Sequence, residues 1–359
     1  LGLKILLAGN WRAAIHEKAL CNGLIENGCT VTPFKWSFYF NGEGSFIGRI
    51  IRRIEYKYLF GRSVRRVNFD LIDALNEEYD LLFLYRPNLI SWKTIKEIKK
   101  KYPRLIVAAY NNDDPFSDRY SWYVWRVFNK AIPCYDLMYS YRPANVQQYY
   151  QFGAQAVEML PPWFDPSLSY PVELEPREKK KYSSDIVFVG HYENDGRIDL
   201  IKRLVSEGIQ VALYGPDWND VIKGDPVLGG LYPVSYLHGE EYNKALSGAA
   251  MALVIYSRLN NDVYTRRCFE IPAIKTLMVA KRTQAMLDLY REDQEAVYFS
   301  SIDELVAKVR EYNGDAKKRG RVAANGYRRA YDSGYDVVSR AKRVMNDAIW
   351  LTQSDSSAQ

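Results

Sequence analysis

Metal and disulfide chemistry find little material in this chain of 359 residues. It has three histidines and four cysteines, and Cys21, Cys29, Cys134 and Cys268 lie far apart with no CxxC pair. Structural zinc needs closely spaced thiolates or imidazoles, and a disulfide scaffold needs dense cysteine, so neither is expected. Sparse, unpaired cysteine suits a reducing, cytoplasmic compartment. No apolar run reaches the length of a membrane-spanning helix. The stretch LGLKILLAGN is apolar but has no basic leader and no cleavage site, so it reads as a strand rather than an export signal. Glycine-rich nucleotide motifs are missing too. The first strand–helix turn, AGNWR, carries one glycine, so a GxGxxG dinucleotide site has no support, and no GxxxxGK[ST] is present for a P-loop.

What is present is apolar and aromatic. Hydrophobic residues make up 47%, enough for the cores of the two domains that this length implies. Aromatics reach 14%, with 29 tyrosines whose flat faces and polar tips suit carbohydrate or nucleotide pockets. The net charge of +6 is compatible with an anionic ligand and does not point to nucleic acid.

Short apolar runs alternate with helix-length segments, the signature of parallel α/β architecture. KILLAG, CTVTPF, DLLFLY, RLIVAAY, DLMYSY and AVEML read as a first series of strands. The charged stretch 172–184, without apolar periodicity, reads as an interdomain linker. DIVFVG, IQVALYG, AMALVIY, TLMVA and AVYFS form a second series, and an amphipathic helix is expected over 336–351. The expected organisation is two Rossmann-like domains, 1–171 and 185–335, followed by a terminal segment, 336–359. In such sheets ligands bind beyond the carboxyl ends of the strands, and in a two-domain version the site falls in the cleft.

That rule selects candidates. Asn10, Trp11 and Arg12 follow the first strand and are expected at an acceptor or cleft surface. Asp113 and Asp114, in YNNDDPF, follow the fourth, where one could act as a general base or orient a hydroxyl; ordinary turn chemistry is the alternative. In the second series Gly190 ends a strand and Gly196-Arg197 enters a helix. Arg197 is expected to pair with phosphate, the alternative being an ion pair with Glu193 or Asp199. The segment Arg49–Arg66 carries seven cations against Glu55, interleaved with Ile50, Ile51, Ile54, Tyr58 and Phe60. Such a pattern suits an anionic membrane surface or a phosphorylated acceptor, and a solvated helix face is the alternative.

The richest stretch is NDVYTRRCFEIPAIKTLMVA, 261–280. Asp262 and Glu270 stand in the spacing D-x7-E, flanking Arg266 and Arg267. The spacing resembles the E-x7-E motif of retaining GT-B glycosyltransferases, with Asp in the first place. Arg267-Cys268-Phe269-Glu270-Ile271-Pro272-Ala273 is similar to a segment of the CgeB-like branch. The resemblance extends through LYGPDW (213–218), HGEEYNKALSGAAMAL (238–253) and SSIDELVAKV (300–309).

The resemblance implies a GT-B fold and transfer of a sugar from a nucleotide diphosphate sugar to an acceptor hydroxyl. That acceptor would be a cell-surface glycan or lipid-linked precursor at the inner membrane face. It implies that Glu270 accepts from the ribose hydroxyls, that Asp262 touches the donor sugar, and that Arg266 and Arg267 face the diphosphate without a metal. Gly190, Arg197, Tyr214, Gly215, His238 and Thr265 complete the expected donor pocket. The terminal helix is expected to cross back to the first domain. Retention of configuration is expected from the spacing; with inversion, Asp113 or Asp114 would be the base. Lys275 stands where the family has a small residue, and is expected to alter the loop's approach to the donor. No cofactor or metal is expected. The rival readings are a sugar-binding protein without catalysis and a GT-B-type nucleotide-sugar epimerase.

Overall fold

The computed structural model describes residues 2–41 and 45–357. The chain divides into two compact units, Leu1–Pro162 with Val337–Gln359, and Trp163–Asp336.

The first unit is built on β1 (Lys4–Gly9), β2 (Thr30–Lys35), β3 (Leu81–Tyr85), β4 (Ile106–Asn111), β5 (Leu137–Ser140) and β6 (Val157–Met159). Among the described residues they form one sheet in the order β2-β1-β3-β4-β5-β6, and every pairing is parallel. The strands β3 and β4 are buried along their whole length, which is why their sequences are continuous apolar runs rather than alternating ones. Helices α1 (Ala19–Glu26), α2 (Phe46–Tyr58), α3 (Arg62–Asp73), α4 (Trp92–Lys101), α5 (Arg126–Ala131) and α6 (Pro143–Gln151) connect them. A wide turn, Ala14–Lys18, precedes α1.

The second unit holds β7 (Ser184–Val189), β8 (Val211–Tyr214), β9 (Ala249–Val254), β10 (Leu277–Lys281) and β11 (Val297–Phe299). Its helices are α7 (Pro176–Tyr182), α8 (Arg197–Ser206), α9 (Asn219–Ile222), α10 (Glu240–Gly248), α11 (Arg267–Ala273), α12 (Gln284–Leu289), α13 (Ile302–Gly314) and α14 (Ala316–Asp332). The parallel order is β11-β10-β9-β7-β8 among the described residues. Its core includes Ile186, Phe188, Trp218, Met251, Leu253, Val279 and Val297. Each such side chain contributes roughly 1.5–3 kcal/mol by leaving water.

The stretch 172–184 is not a free linker. It lies inside the second unit and contains α7, whose start is closed by a reciprocal Glu175–Glu178 capping box. Leu174 and Tyr182 are buried with Ala245 of α10, so the segment's few apolar residues decide its packing while its charges face water. The second unit begins at Trp163, before the expected boundary, with Trp163 and Phe164 buried.

The last helix, α15 (Val337–Ser357), belongs to the first unit. Val337, Ala341, Val344 and Ala348 are buried at helical spacing, and Asn27 donates to the Val338 carbonyl at 2.9 Å. Gly23 of α1 permits the approach: a β-carbon there would come 2.9 Å from the Val337 carbonyl oxygen.

Candidate functional site

Each sheet reverses its strand order once, between β1 and β3 in the first unit and between β7 and β9 in the second. Connections leave in opposite directions at such a point and open a crevice at the carboxyl ends of the strands. Both reversals carry clusters of polar side chains.

In the second unit β7 ends at Val189, and the loop after β9 leads into α11. Arg267 opens that helix and Glu270 follows three residues later, on the same face. The Arg267 guanidinium donates through Nε to the Val189 carbonyl and through Nη1 to Glu270 Oε2, both at 2.9 Å. The Tyr242 hydroxyl, from the first turn of α10, donates to the same Oε2 at 2.9 Å. Its ring lies 5.1 Å from the guanidinium. Glu270 is 6% exposed, yet both bonds use one oxygen, so among the described residues Oε1 is left as an acceptor. Arg267 likewise keeps Nη2, on a side chain that is one-third exposed. Burial and the Glu270 carboxylate hold the Tyr242 phenol well above its ordinary pKa, so it stays a donor.

The neighbouring expected residues are brought to the same edge. Arg266 directly precedes α11, and Thr265 before it has a buried Oγ1. Asp262 is half-buried in the loop, its amide donating to the Ser257 carbonyl at 3.0 Å. Tyr214 ends β8, and His238 is exposed near the start of α10, its ring 4.4 Å from that of Tyr236. Gly190 and Gly215 are needed for contact between two loops. Gly215 has φ +135°, and a β-carbon there would lie 2.1 Å from the Gly190 carbonyl oxygen.

Arg197 does something other than expected. It is 3% exposed and closes on its own loop: Nε and Nη2 reach the Asp195 carboxylate at 2.8 and 2.6 Å, and Nη1 donates to the His191 carbonyl. Its backbone amide, at the start of α8, donates to Asp195 as well. The guanidinium and the helix start are thus engaged by the Asp195 carboxylate and the His191 carbonyl, the kind of local ion pair that was the alternative to a phosphate contact. Burial works to raise the Asp195 carboxyl, and Arg197 outweighs it, holding it below the usual range. Glu193 also reaches Arg197, at 3.4 Å, and accepts from Ser257 at 3.1 Å, tying this loop to the one after β9.

Lys275 is at the opposite end of α11, ahead of β10, and lines a cavity of about 590 Å³ with Asp185, Gln210 and Thr276 at the amino ends of the strands. It does not stand on the loop that carries Arg266 and Arg267. Its φ is +64°, a left-handed backbone conformation suited to glycine.

In the first unit the β1/β3 reversal encloses a cavity of about 360 Å³. Asn10, Arg12, His16, Glu17, Tyr85, Arg86 and Asp113 all line it. Glu17 is 3% exposed; its Oε1 accepts the Asn10 amide at 2.7 Å, and burial pushes its carboxyl up. Gly9 leaves it room, since a β-carbon there would meet the Glu17 side chain at 2.5 Å. His16 Nδ1 and the Tyr85 hydroxyl are hydrogen-bonded at 2.7 Å. Arg86 pairs with Asp113 at 2.6 Å. Arg12 donates to Asn41 at 2.6 Å, and Trp11 lies outside the lining, its ring 5.2 Å from the Lys35 ammonium. Asp114 is a correction: it is buried, accepting from the Phe116 amide and from Asn145 at 3.0 Å each, and it shapes the turn instead of facing the cavity.

His16, Glu17, Arg86 and Tyr242 were not among the expected residues. Arg86 directly follows the strand DLLFLY, so the carboxyl-end rule was sufficient to find it. Among the described residues no group of three or more His, Cys, Asp or Glu side chains could hold a metal ion.

Comparison with known proteins agrees with this architecture. Residues 197–346 match a family model described as glycosyl transferase-like. Sucrose-phosphate synthase from Thermosynechococcus elongatus is similar over 98% of this chain and 100% of its own, with TM-score 0.71 and 13% identity. The fold is GT-B. Anabaena HepE, in complex with UDP and glucose, is similar over 96% of this chain and 99% of its own, with TM-score 0.64 and 14% identity. A protein described as a UDP-N-acetylglucosamine 2-epimerase from Listeria monocytogenes is similar over 96% and 95%, with TM-score 0.58 and 10% identity. A search of curated proteins found no significant match. The glycosyl transferase-like region begins at Arg197 and contains Tyr242, Asp262, Arg266, Arg267 and Glu270.

Proposed function

We propose that this chain is a glycosyltransferase that moves a sugar from a nucleoside diphosphate sugar to an acceptor hydroxyl. The observation that carries the reading is the Tyr242–Glu270–Arg267 cluster at the β7/β9 reversal, with one acceptor oxygen and one donor nitrogen left over. Glu270 Oε1 accepts from the ribose diol, and Arg267 Nη2 with Arg266 faces the diphosphate. Positive charge aimed at the leaving group favours its departure and needs no metal ion. Thr265, Tyr214, Gly190, Gly215 and His238 border the donor, and Asp262 lies toward the sugar. Asp195 and Arg197 hold the adjoining loop. The Arg267–Ala273 segment favours the CgeB-like branch, and the binding of UDP by HepE makes uridine donors the first to test.

The cavity of the first unit suits the acceptor, a cell-surface glycan or its lipid-linked precursor. Its carboxylates, imidazole and guanidinium offer both acceptors and donors to a polyhydroxylated ligand. The reaction breaks the bond from the anomeric carbon to the diphosphate oxygen and forms one to the acceptor oxygen. The acceptor proton leaves with the diphosphate. The D-x7-E spacing supports retention. With inversion, Asp113 and His16 are the groups placed to take the proton.

The test is to supply uridine, guanosine and thymidine diphosphate sugars with a panel of lipid-linked and free glycans. Diphosphate release and the product's anomeric configuration are followed by NMR. The expected result is acceptor-dependent release with configuration retained. Conversion of the donor without acceptor would make the chain an epimerase. Donor binding without release under any condition would make it a binding protein.

A further inference from the structure

A helix on a domain surface ordinarily turns its apolar stripe inward. Helix α2 does the reverse. Ile47, Ile50, Ile51, Ile54 and Tyr58 recur at three- and four-residue spacing and are all exposed, Ile47 at 68%, with Phe46 beside them at 69%. The inward side is anchored by Glu55 and Tyr56. Glu55 is buried and accepts the Arg62 and Ser63 amides, at 2.6 and 3.2 Å, at the start of α3. Tyr56 packs edge-on against Phe40. The apolar stripe is therefore held out in water by the helix's own docking contacts.

Two further features adjoin the stripe. Arg49, Arg53 and Lys57, each four residues apart, form an exposed row of cations along the same helix. At the carboxyl end the Tyr58 ring lies 4.9 Å from that of Tyr123, which lies 6.0 Å from Trp122. Trp122 is 77% exposed. Arg126 fastens this end, donating to the Tyr58 carbonyl at 2.6 Å with its guanidinium 5.4 Å from the Trp122 ring.

We propose that α2 and Trp122 lay the first unit on an anionic bilayer surface. The isoleucine stripe enters the headgroup–acyl boundary, the cation row meets lipid phosphate, and Trp122 sits at the headgroup level. Charge selects this occupant over a second copy of the chain. The one acid of α2, Glu55, is buried, and Arg62 and Arg65 add exposed cations just beyond. Two such faces would repel, whereas anionic lipid is complementary to both the stripe and the row. Among the described residues no helix is long and apolar enough to cross a membrane, so the contact is interfacial. This inference does not depend on the donor reading.

The test is co-sedimentation of the full chain with phosphatidylcholine vesicles and with vesicles containing phosphatidylglycerol. Binding is expected to the anionic vesicles and to weaken as salt is raised. Ile47→Glu with Ile51→Glu, and separately Arg49→Glu with Arg53→Glu, are expected to lower vesicle affinity at least about tenfold. Because these side chains are exposed, circular dichroism and thermal unfolding should stay unchanged. Equal binding of the chain and both variants, or no binding to either vesicle, would overturn the proposal. So would a dimer that the isoleucine variant converts to monomer without any lipid binding, since the face would then be a protein interface. Donor titration of the same variants keeps the two proposals separable.

Discussion

At the scale of single residues, burial decides which side chains are free to act. Glu17 has its carboxyl pushed up by burial, so its protonated form is favoured in the folded state. Its contribution to stability is present below about pH 4.5, its ordinary value, and is lost as pH rises through the raised pKa. Glu17→Gln is therefore expected to stabilise the protein more at alkaline than at acid pH, read from urea unfolding midpoints across that range. A constant difference would mean that Glu17 titrates normally. Lys275 carries a left-handed backbone, and Lys275→Gly is expected to gain roughly 0.5–1 kcal/mol once the freer unfolded chain is counted. Equilibrium denaturation checks it, and a loss would show that the lysine side chain matters to the fold. The sequence singled out Glu270 through the D-x7-E spacing and Arg267 through the segment it opens, and the structure brings the two into one hydrogen-bonded pair. The sequence did not show that Arg197 would be taken by Asp195 two residues earlier, because a loop's closure on itself leaves no periodic signal. The same holds for Asp114, whose partner Asn145 lies 31 residues away.

At the scale of elements, hydrophobic runs located the strands well. TLMVA became β10 and DIVFVG became β7, each displaced by one residue. Buried parallel strands need apolar side chains on both faces, so the run itself is the signal. The stretch 172–184 failed that test because α7 carries lysines on its water side and buries Tyr182 alone among its residues. The reversed orientation of α2 was equally hidden: periodicity reports an apolar stripe but not the direction it faces. The contact between the loops after β7 and β8 rests on a glycine. Gly215→Ala is expected to cost more than about 2 kcal/mol, since it combines a positive φ with a clash against the Gly190 carbonyl. Thermal unfolding checks the cost, and a near-neutral result would show that these loops can separate.

At the scale of the whole molecule, the chain leaves its first unit, completes the second and returns through α15. Val344 is fully buried on that returning helix. Val344→Asp places an unpaired charge there and is expected to destabilise the first unit by about 3 kcal/mol. Fluorescence-monitored denaturation reads it, and an unchanged midpoint would mean that α15 is dispensable to that unit. Two parallel sheets with one reversal each, a region over 197–346 that matches a glycosyl transferase-like model and a polar cluster at the second reversal are the grounds for the proposal that the second unit binds the donor. Calorimetric titration with UDP, GDP, dTDP and CDP, for the wild-type chain and for Glu270→Ala, tests that claim most directly. The account predicts that one of these nucleotides binds and that Glu270→Ala weakens it by about tenfold or more, the loss of hydrogen bonds to a charged acceptor. Equal affinity in the two proteins, or no binding of any nucleotide to the wild type, would contradict it.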